Sequence, residues 1–327
     1  MKNNSAPFFS IIIPCYNAAS FVNKALHALE LQTFSDFEII LVDDCSTDNT
    51  YEYCRRWAEN STLLVTLLRN KENSGPGASR SWGLQHAKGR FVGFCDSDDW
   101  YEPDLLELAY SKIQSEKAEL VFFDYYRNYG NGKRKHIGCT RSLSNATSMN
   151  EYVAMAFDAL CGLVVKSEII KKISMPALYN SEDAAVVPVL SSLAGKATFI
   201  PMPLYNYLHR KQSLSTSRNK RIYQGFIDAF QFVCENVPAE FAEAKEYRGI
   251  HLVLYGAVFK AIDAGVSGKE IRNIVCDFEN KYPQWWANKY VKSLPLRKRF
   301  FLYLVRKRFF AALHTYVTVQ RLILYFL

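Results

Sequence analysis

The 327-residue sequence predicts an α/β fold, a mostly parallel sheet flanked by helices, with a helical module following it. Three observations predict this. From Phe8 to Asp96, short runs rich in branched and aromatic residues alternate with helical patterns, the signature of a doubly wound sheet. Polar residues gather directly after those runs, at the carboxyl ends of strands, where such sheets hold ligands. After residue 218 the pattern is helical almost throughout.

The elements follow in order. "FFSIIIPCY" has one basic residue before it and runs into Pro14 too soon for the apolar region of a leader, so it reads as the first strand. The helix "SFVNKALHALELQ", strand "FEIILVDD", helix "TYEYCRRWAEN", strand "TLLVTLLRN", helix "ASRSWGLQHA" and strand "RFVGFCD" come next. Pro103 opens a helix through "DLLELAYSKIQSE", "AELVFFDYY" reads as a fifth strand, and "NYGNGKRKHIG" as a basic loop or hairpin. Ser148 and Glu151 have capping-box spacing ahead of "YVAMAF". Strand-like "LCGLVVK", then "YNSEDAAVVPVLSSLA" and "PLYNYLHRKQSLSTS", complete a first domain expected over residues 1–217, with the helical module over 218–327.

Composition narrows the class. At 49% hydrophobic residues the chain can bury a full core. The eight cysteines are scattered without a C-x-x-C pair, which argues against zinc and disulfide frameworks and fits a reducing cytoplasm. The net charge of +8 is unevenly placed: ten of the 40 basic residues and none of the 32 acidic ones lie beyond residue 280. The body is therefore slightly acidic, which speaks against a nucleic-acid binder. The tail "LPLRKRFFLYLVRKRFFAALHTYVTVQRLILYFL" has no uncharged run approaching the roughly 20 residues a spanning helix needs. Basic triplets separated by Phe, Tyr and Leu suit an interfacial helix on an anionic membrane surface; the alternative is a packed helix at a homodimer interface.

The stretch "FVGFCDSDDW" carries a buried-looking strand into three carboxylates. Carboxylates this close repel one another unless a cation or strong donors hold them. An EF-hand loop from Asp96 fails, because Trp100 and Tyr101 stand where a ligand and a glycine belong. A haloacid-dehalogenase-type phosphohydrolase matches Asp96 and Asp98 but not Trp100. Helix capping by the acids is a third reading, and a magnesium or manganese site for a diphosphate, with hard oxygen ligands, a fourth.

The set "SIIIPCYNAASFVNKALHALELQTFSDFEIILVDDCSTDNT", "NSGPGASRSWGLQHAKGRFVGFCDSDDWYEPDLL" and the later "SED" resembles the inverting family 2 glycosyltransferases of bacterial cell-surface polysaccharide assembly. The resemblance runs from about residue 8 to 217, with Ser81, "LCGLVVK" and Ala184–Ala185 departing from the usual pattern. It implies the Rossmann-like glycosyltransferase A fold, a UDP-sugar donor, a glycan or lipid-linked acceptor, and Mn2+ or Mg2+. Pro14 and Tyr16 would wall the base, with Asn17 beside them. Asp44 would accept a uracil N–H while Asp43 orients the turn, and Arg80 would reach the base or diphosphate. Asp96 and Asp98 form the D-x-D: Asp98 would hold the cation, and Asp96, next to Ser97, the ribose or the metal shell. Asp183 would be the general base with Glu182 as its neighbour. His209 and Arg210 match a basic loop closing on the diphosphate, His209 being a further candidate ligand. A non-catalytic nucleotide-sugar binder on a membrane is the remaining alternative. Cytoplasmic placement against the inner face of the cell membrane is the expected location.

Overall fold

The computed structural model describes residues 6–129, 132–210 and 219–326. Its chain divides into two compact units, Met1–Ala177 with Leu193–Lys211, and Leu178–Ser192 with Gln212–Leu327. The expected boundary after residue 217 falls outside the described residues. The segment 178–192, read from sequence as part of the first domain, groups with the helical unit.

The first unit is built on β1 (Phe9–Cys15), α1 (Val22–Glu30), β2 (Phe37–Asp43), α2 (Thr50–Asn60), β3 (Leu64–Arg69), α3 (Gly75–His86), β4 (Phe91–Phe94), β5 (Trp100–Tyr101), α4 (Leu105–Glu116), β6 (Leu120–Asn128), β7 (Arg134–Ile137), α5 (Met149–Met155), β8 (Leu163–Lys166) and α6 (Ser167–Ile170). In the second unit α7 (Glu182–Leu193) precedes the first unit's last strand, β9 (Ala197–Leu208). Every residue of β1, β2 and β4 is buried, as expected for strands covered on both faces. The strand order is β3-β2-β1-β4-β8-β6-β9-β5, with β7 paired to β6.

Parallel pairing holds for β3, β2, β1 and β4, and again for β6 with β9. Beyond β4 the sheet becomes mixed. β8 enters antiparallel between β4 and β6, and the two-residue β5 runs antiparallel on β9. The basic segment after β6 forms a hairpin, with Tyr125 opposite Ile137 and Asn128 opposite Arg134. The capping box is present, the Ser148 amide donating to Glu151 Oε2 at 2.8 Å. Gly83 lets α3 lie directly on β1: a Cβ there would come within 2.6 Å of Ile12 Cγ2.

The second unit continues with α8 (Arg221–Asn236), α9 (Ala242–Gly249), a π-type stretch Ile250–Ala257, α10 (Val258–Asp263), α11 (Gly268–Lys281), α12 (Leu296–Arg306) and α13 (Phe310–Phe326). Arg308, with φ 60°, turns the corner between α12 and α13 and pairs with Glu279 at 2.6 Å. Among the described residues no helix is long and apolar enough to cross a membrane.

Candidate functional site

The parallel register of β1, β2 and β4 sets their carboxyl ends along one edge, with Cys15 opposite Asp43 and Ile12 opposite Phe94. The β1–β4 ladder stops at Ile12, so Pro14 lies past β4, where its missing N–H removes no bond on that side. Tyr16 follows with 48% of its surface exposed, available as a stacking face. Asn17, next in the chain, ties two loops together. With φ 48°, its side-chain oxygen accepts the amides of Thr47 (2.9 Å) and Asp48 (3.3 Å), and its own amide donates to Ser46 Oγ (3.1 Å). It clamps the loop after β1 to the loop after β2.

The two aspartates ending β2 both serve the loops around them. Asp43 accepts the Ser46 amide at 3.2 Å and pairs with Arg69 at 3.2 Å. Asp44, buried, accepts Asn70 Nδ2 (2.5 Å) and the amides of Ser74 (3.0 Å) and Gly75 (2.7 Å). Three donors on one carboxylate fix the entry to α3, which carries Arg80. A carboxylate has about four acceptor sites, so one remains for a further donor.

The three carboxylates after β4 are held by three different partners. Arg80, buried on α3, donates through Nη2 to Asp96 Oδ1 at 2.6 Å. Asp98 forms an ion pair with Arg210, whose guanidinium also lies 5.0 Å from the centre of the Phe21 ring. Asp99 is 1% exposed; it accepts the Tyr205 hydroxyl at 2.6 Å and the Leu208 amide at 2.7 Å. The same hydroxyl accepts the Asp96 amide at 3.2 Å, so Tyr205 on β9 braces both ends of the turn. Ser97 is half-buried between them.

Electrostatics follow from this packing. Burial and then the negative charge of Asp96 push the Asp98 carboxyl above its ordinary range, with Arg210 pulling it back. Burial, Asp96 and Asp98 push Asp99 up further. The turn is thus a place where added positive charge is favourable. Among the described residues no three His, Cys, Asp or Glu side chains are grouped to hold a metal; the D-x-D itself presents two carboxylates, Asp96 and Asp98. That suffices for Mg2+ or Mn2+, which commonly take one or two carboxylates and complete their shell with substrate phosphates and water. The ring of His209 meets Tyr129 edge-on at 5.8 Å and its amide donates to Asn128 O at 2.9 Å.

Glu182 and Asp183 belong to the second unit, half-buried in the first turn of α7, where the helix dipole favours negative charge. Ser181 before them sits at φ 66°, an uncommon conformation for serine. Asn180 holds the approach, donating to Ser181 Oγ at 2.7 Å and Ile222 O at 3.3 Å. Gly225 on α8 makes room for it, since a Cβ there would meet Asn180 Oδ1 at 2.2 Å.

Sequence reasoning missed Tyr205, Phe21 and Lys24, whose ammonium lies 3.2 Å from the centre of the Trp100 ring. Their signals are tertiary. Tyr205 lies more than a hundred residues from the aspartates it braces.

Known proteins resemble this chain in sequence and in fold. A relative, the glycosyltransferase GlyA of Streptococcus pneumoniae, is 28% identical over 232 residues, 67% of this chain and 33% of GlyA; the chain thus spans about a third of that relative. The crystal structure of Staphylococcus aureus TarS residues 1–349 with UDP-GlcNAc superposes with a TM-score of 0.69 at 20% identity, over 96% of this chain and 91% of that one. The mannosyltransferase PcManGT of Pyrobaculum calidifontis, with GDP-Man and Mn2+, superposes with a TM-score of 0.59 at 19% identity, over 98% and 88%. Both solved structures are likenesses of fold. Residues 10–172 match the family described as glycosyl transferase family 2, and the chain belongs to that family.

Proposed function

We propose that the protein transfers a sugar from a UDP-sugar to a hydroxyl of a glycan or lipid-linked acceptor, with inversion at the anomeric carbon, in cell-surface polysaccharide assembly. The observation that carries this reading is the aspartate turn after β4. It draws Arg80 and Arg210 onto Asp96 and Asp98, and the exposed Tyr16 follows β1 at the same sheet edge. A nucleoside diphosphate with a divalent cation supplies a stacking base and positive charge for those same groups. TarS, crystallised with UDP-GlcNAc, and PcManGT, with GDP-Man and Mn2+, support nucleotide-sugar and metal use by this fold.

In this reading Tyr16 stacks on the base and Asp44 uses its remaining acceptor site for a base N–H. Asp98, with Asp96, would hold Mn2+ or Mg2+. When bound, the metal neutralises charge on the departing diphosphate as a Lewis acid. Arg210 leaves Asp98 for the diphosphate. Asp183 takes the proton of the acceptor hydroxyl, whose oxygen forms the new bond to the anomeric carbon while the bond to UDP breaks and its electron pair leaves with the diphosphate. Glu182 orients the base. The basic C-terminal helices would hold the enzyme peripherally on the cytoplasmic membrane face, beside its acceptor.

The test is transfer from UDP-sugars to acceptor glycans, with the anomeric configuration of the product read by NMR. An inverted product supports the proposal. Retention of configuration, or hydrolysis of phosphate esters without transfer, refutes it.

A further inference from the structure

We infer that the outward face of α12 is the surface by which the second unit docks on an anionic lipid bilayer, an assignment that rests on the membrane association proposed above and gives it a specific site. Helix α12 has two faces of opposite fate. Phe301, Leu302, Leu304 and Val305 are buried, with Phe301 edge-on to Tyr255 at 5.1 Å, so this face holds the helix to its own unit.

The other face is apolar along its middle and basic on its flanks. Leu296, Phe300 and Tyr303, at i, i+4 and i+7, are 78%, 53% and 49% exposed and form one row. Lys307 ends that row, while Arg299 and Arg306 stand beside it, all exposed. Arg306 lies 4.0 Å from the centre of the Trp286 ring, itself 40% exposed, which extends the patch with an amphipathic aromatic. Exposed large apolar side chains scattered singly are ordinary; a continuous row of them collared by cations is a docking surface.

Charge selects the occupant. No acidic residue follows Glu279, and Glu279 is paired with Arg308. A symmetric pair of copies meeting through this face would set Arg299, Arg306 and Lys307 near their own counterparts, a like-charge repulsion. A soluble polyanion would satisfy the cations and leave Leu296, Phe300 and Tyr303 in water. An anionic bilayer satisfies both, taking the apolar row into the acyl boundary and the cations among its headgroups. Tyr and Trp suit that boundary, with an apolar ring and a polar tip.

The test is co-sedimentation of the full chain with vesicles of phosphatidylcholine alone and with phosphatidylglycerol added. The parent is expected to bind the anionic vesicles, to be released partly by high salt, and to leave neutral vesicles largely free. The double variant L296D/Y303D, altered only at exposed positions, should lower partition about tenfold or more with an unchanged circular-dichroism spectrum. R299E/K307E is a second, independent variant, each lost cation removing about fivefold, or about 1 kcal/mol. Equal binding to both vesicle types, or partition unchanged in both variants, overturns the assignment. So does a dimer in sedimentation that either variant disperses. UDP titration of the same samples separates the two readings: a parent that binds vesicles but no nucleotide refutes the donor reading and leaves the docking face standing.

Discussion

Tyr205→Phe removes one hydroxyl and keeps the ring, which packs edge-on to Tyr101 at 5.9 Å. That hydroxyl donates to the buried Asp99 carboxylate and accepts the Asp96 amide, and the substitution breaks both bonds. A hydrogen bond to a charged group contributes about 1.5–3 kcal/mol and one between neutral groups about 0.5–1.5. With Asp99 only 1% exposed, water does not replace the lost donor, so the expected loss is about 2–4 kcal/mol. With a urea dependence of about 2–3 kcal/mol per molar, the unfolding midpoint drops by about 1 M. The aspartate turn also loses its brace on β9, so UDP affinity should fall several-fold in the protein that remains folded. Chemical denaturation followed by circular dichroism, with UDP titration below the transition, reads both effects. Stability within about 0.5 kcal/mol of the parent, together with parental UDP affinity, would refute the bracing role.

Arg210→Ala removes the cation paired with Asp98 and should tighten binding of Mn2+ alone several-fold, read as loss of the free-ion electron paramagnetic resonance signal; weaker Mn2+ binding contradicts the exchange of Arg210 for metal. Asp183→Asn keeps size and hydrogen bonding but not basicity, so transfer should fall by about 10² to 10⁴ while UDP affinity persists; undiminished transfer removes Asp183 from the mechanism. Burial, with the positive charges of Lys298 and Arg248, lowers the affinity of His251 for a proton well below its ordinary value of 6.5. The unfolded chain therefore binds a proton that the folded one refuses. Stability should fall by about 1.4 kcal/mol per pH unit below 6.5, and His251→Gln should lose that slope. An unchanged pH dependence in His251→Gln would show that another group governs it.

The parts of the fold legible in the sequence are those whose patterns are local. β1, β2 and β4 read as continuous apolar runs because both their faces are covered, and the polar residues after each run fall at one edge because the three strands are parallel neighbours. The Ser148–Glu151 capping box is equally local. What escaped is set by distant partners. The two residues of β5 are too short to show a period, and β8 enters antiparallel between β4 and β6 by a pairing no single strand encodes. The division of labour within the aspartate turn was also invisible: Asp96 goes to Arg80, Asp98 to Arg210 and Asp99 to Tyr205, partners from three separate elements or loops. The bonds that Asn17 Oδ1 accepts from the Thr47 and Asp48 amides, on a loop some thirty residues away, leave no local trace either.

In the proposed function, the edge formed by β1, β2 and β4 binds a uridine diphosphate through a divalent cation held by Asp98. Calorimetric titration of UDP and GDP into the parent and into Asp98→Ala, with and without Mn2+, tests it most directly. UDP should bind more tightly than GDP, Mn2+ should strengthen binding at least tenfold, and Asp98→Ala should abolish the Mn2+ effect. Equal UDP affinity with and without Mn2+, or a Mn2+ effect that survives Asp98→Ala, would contradict it.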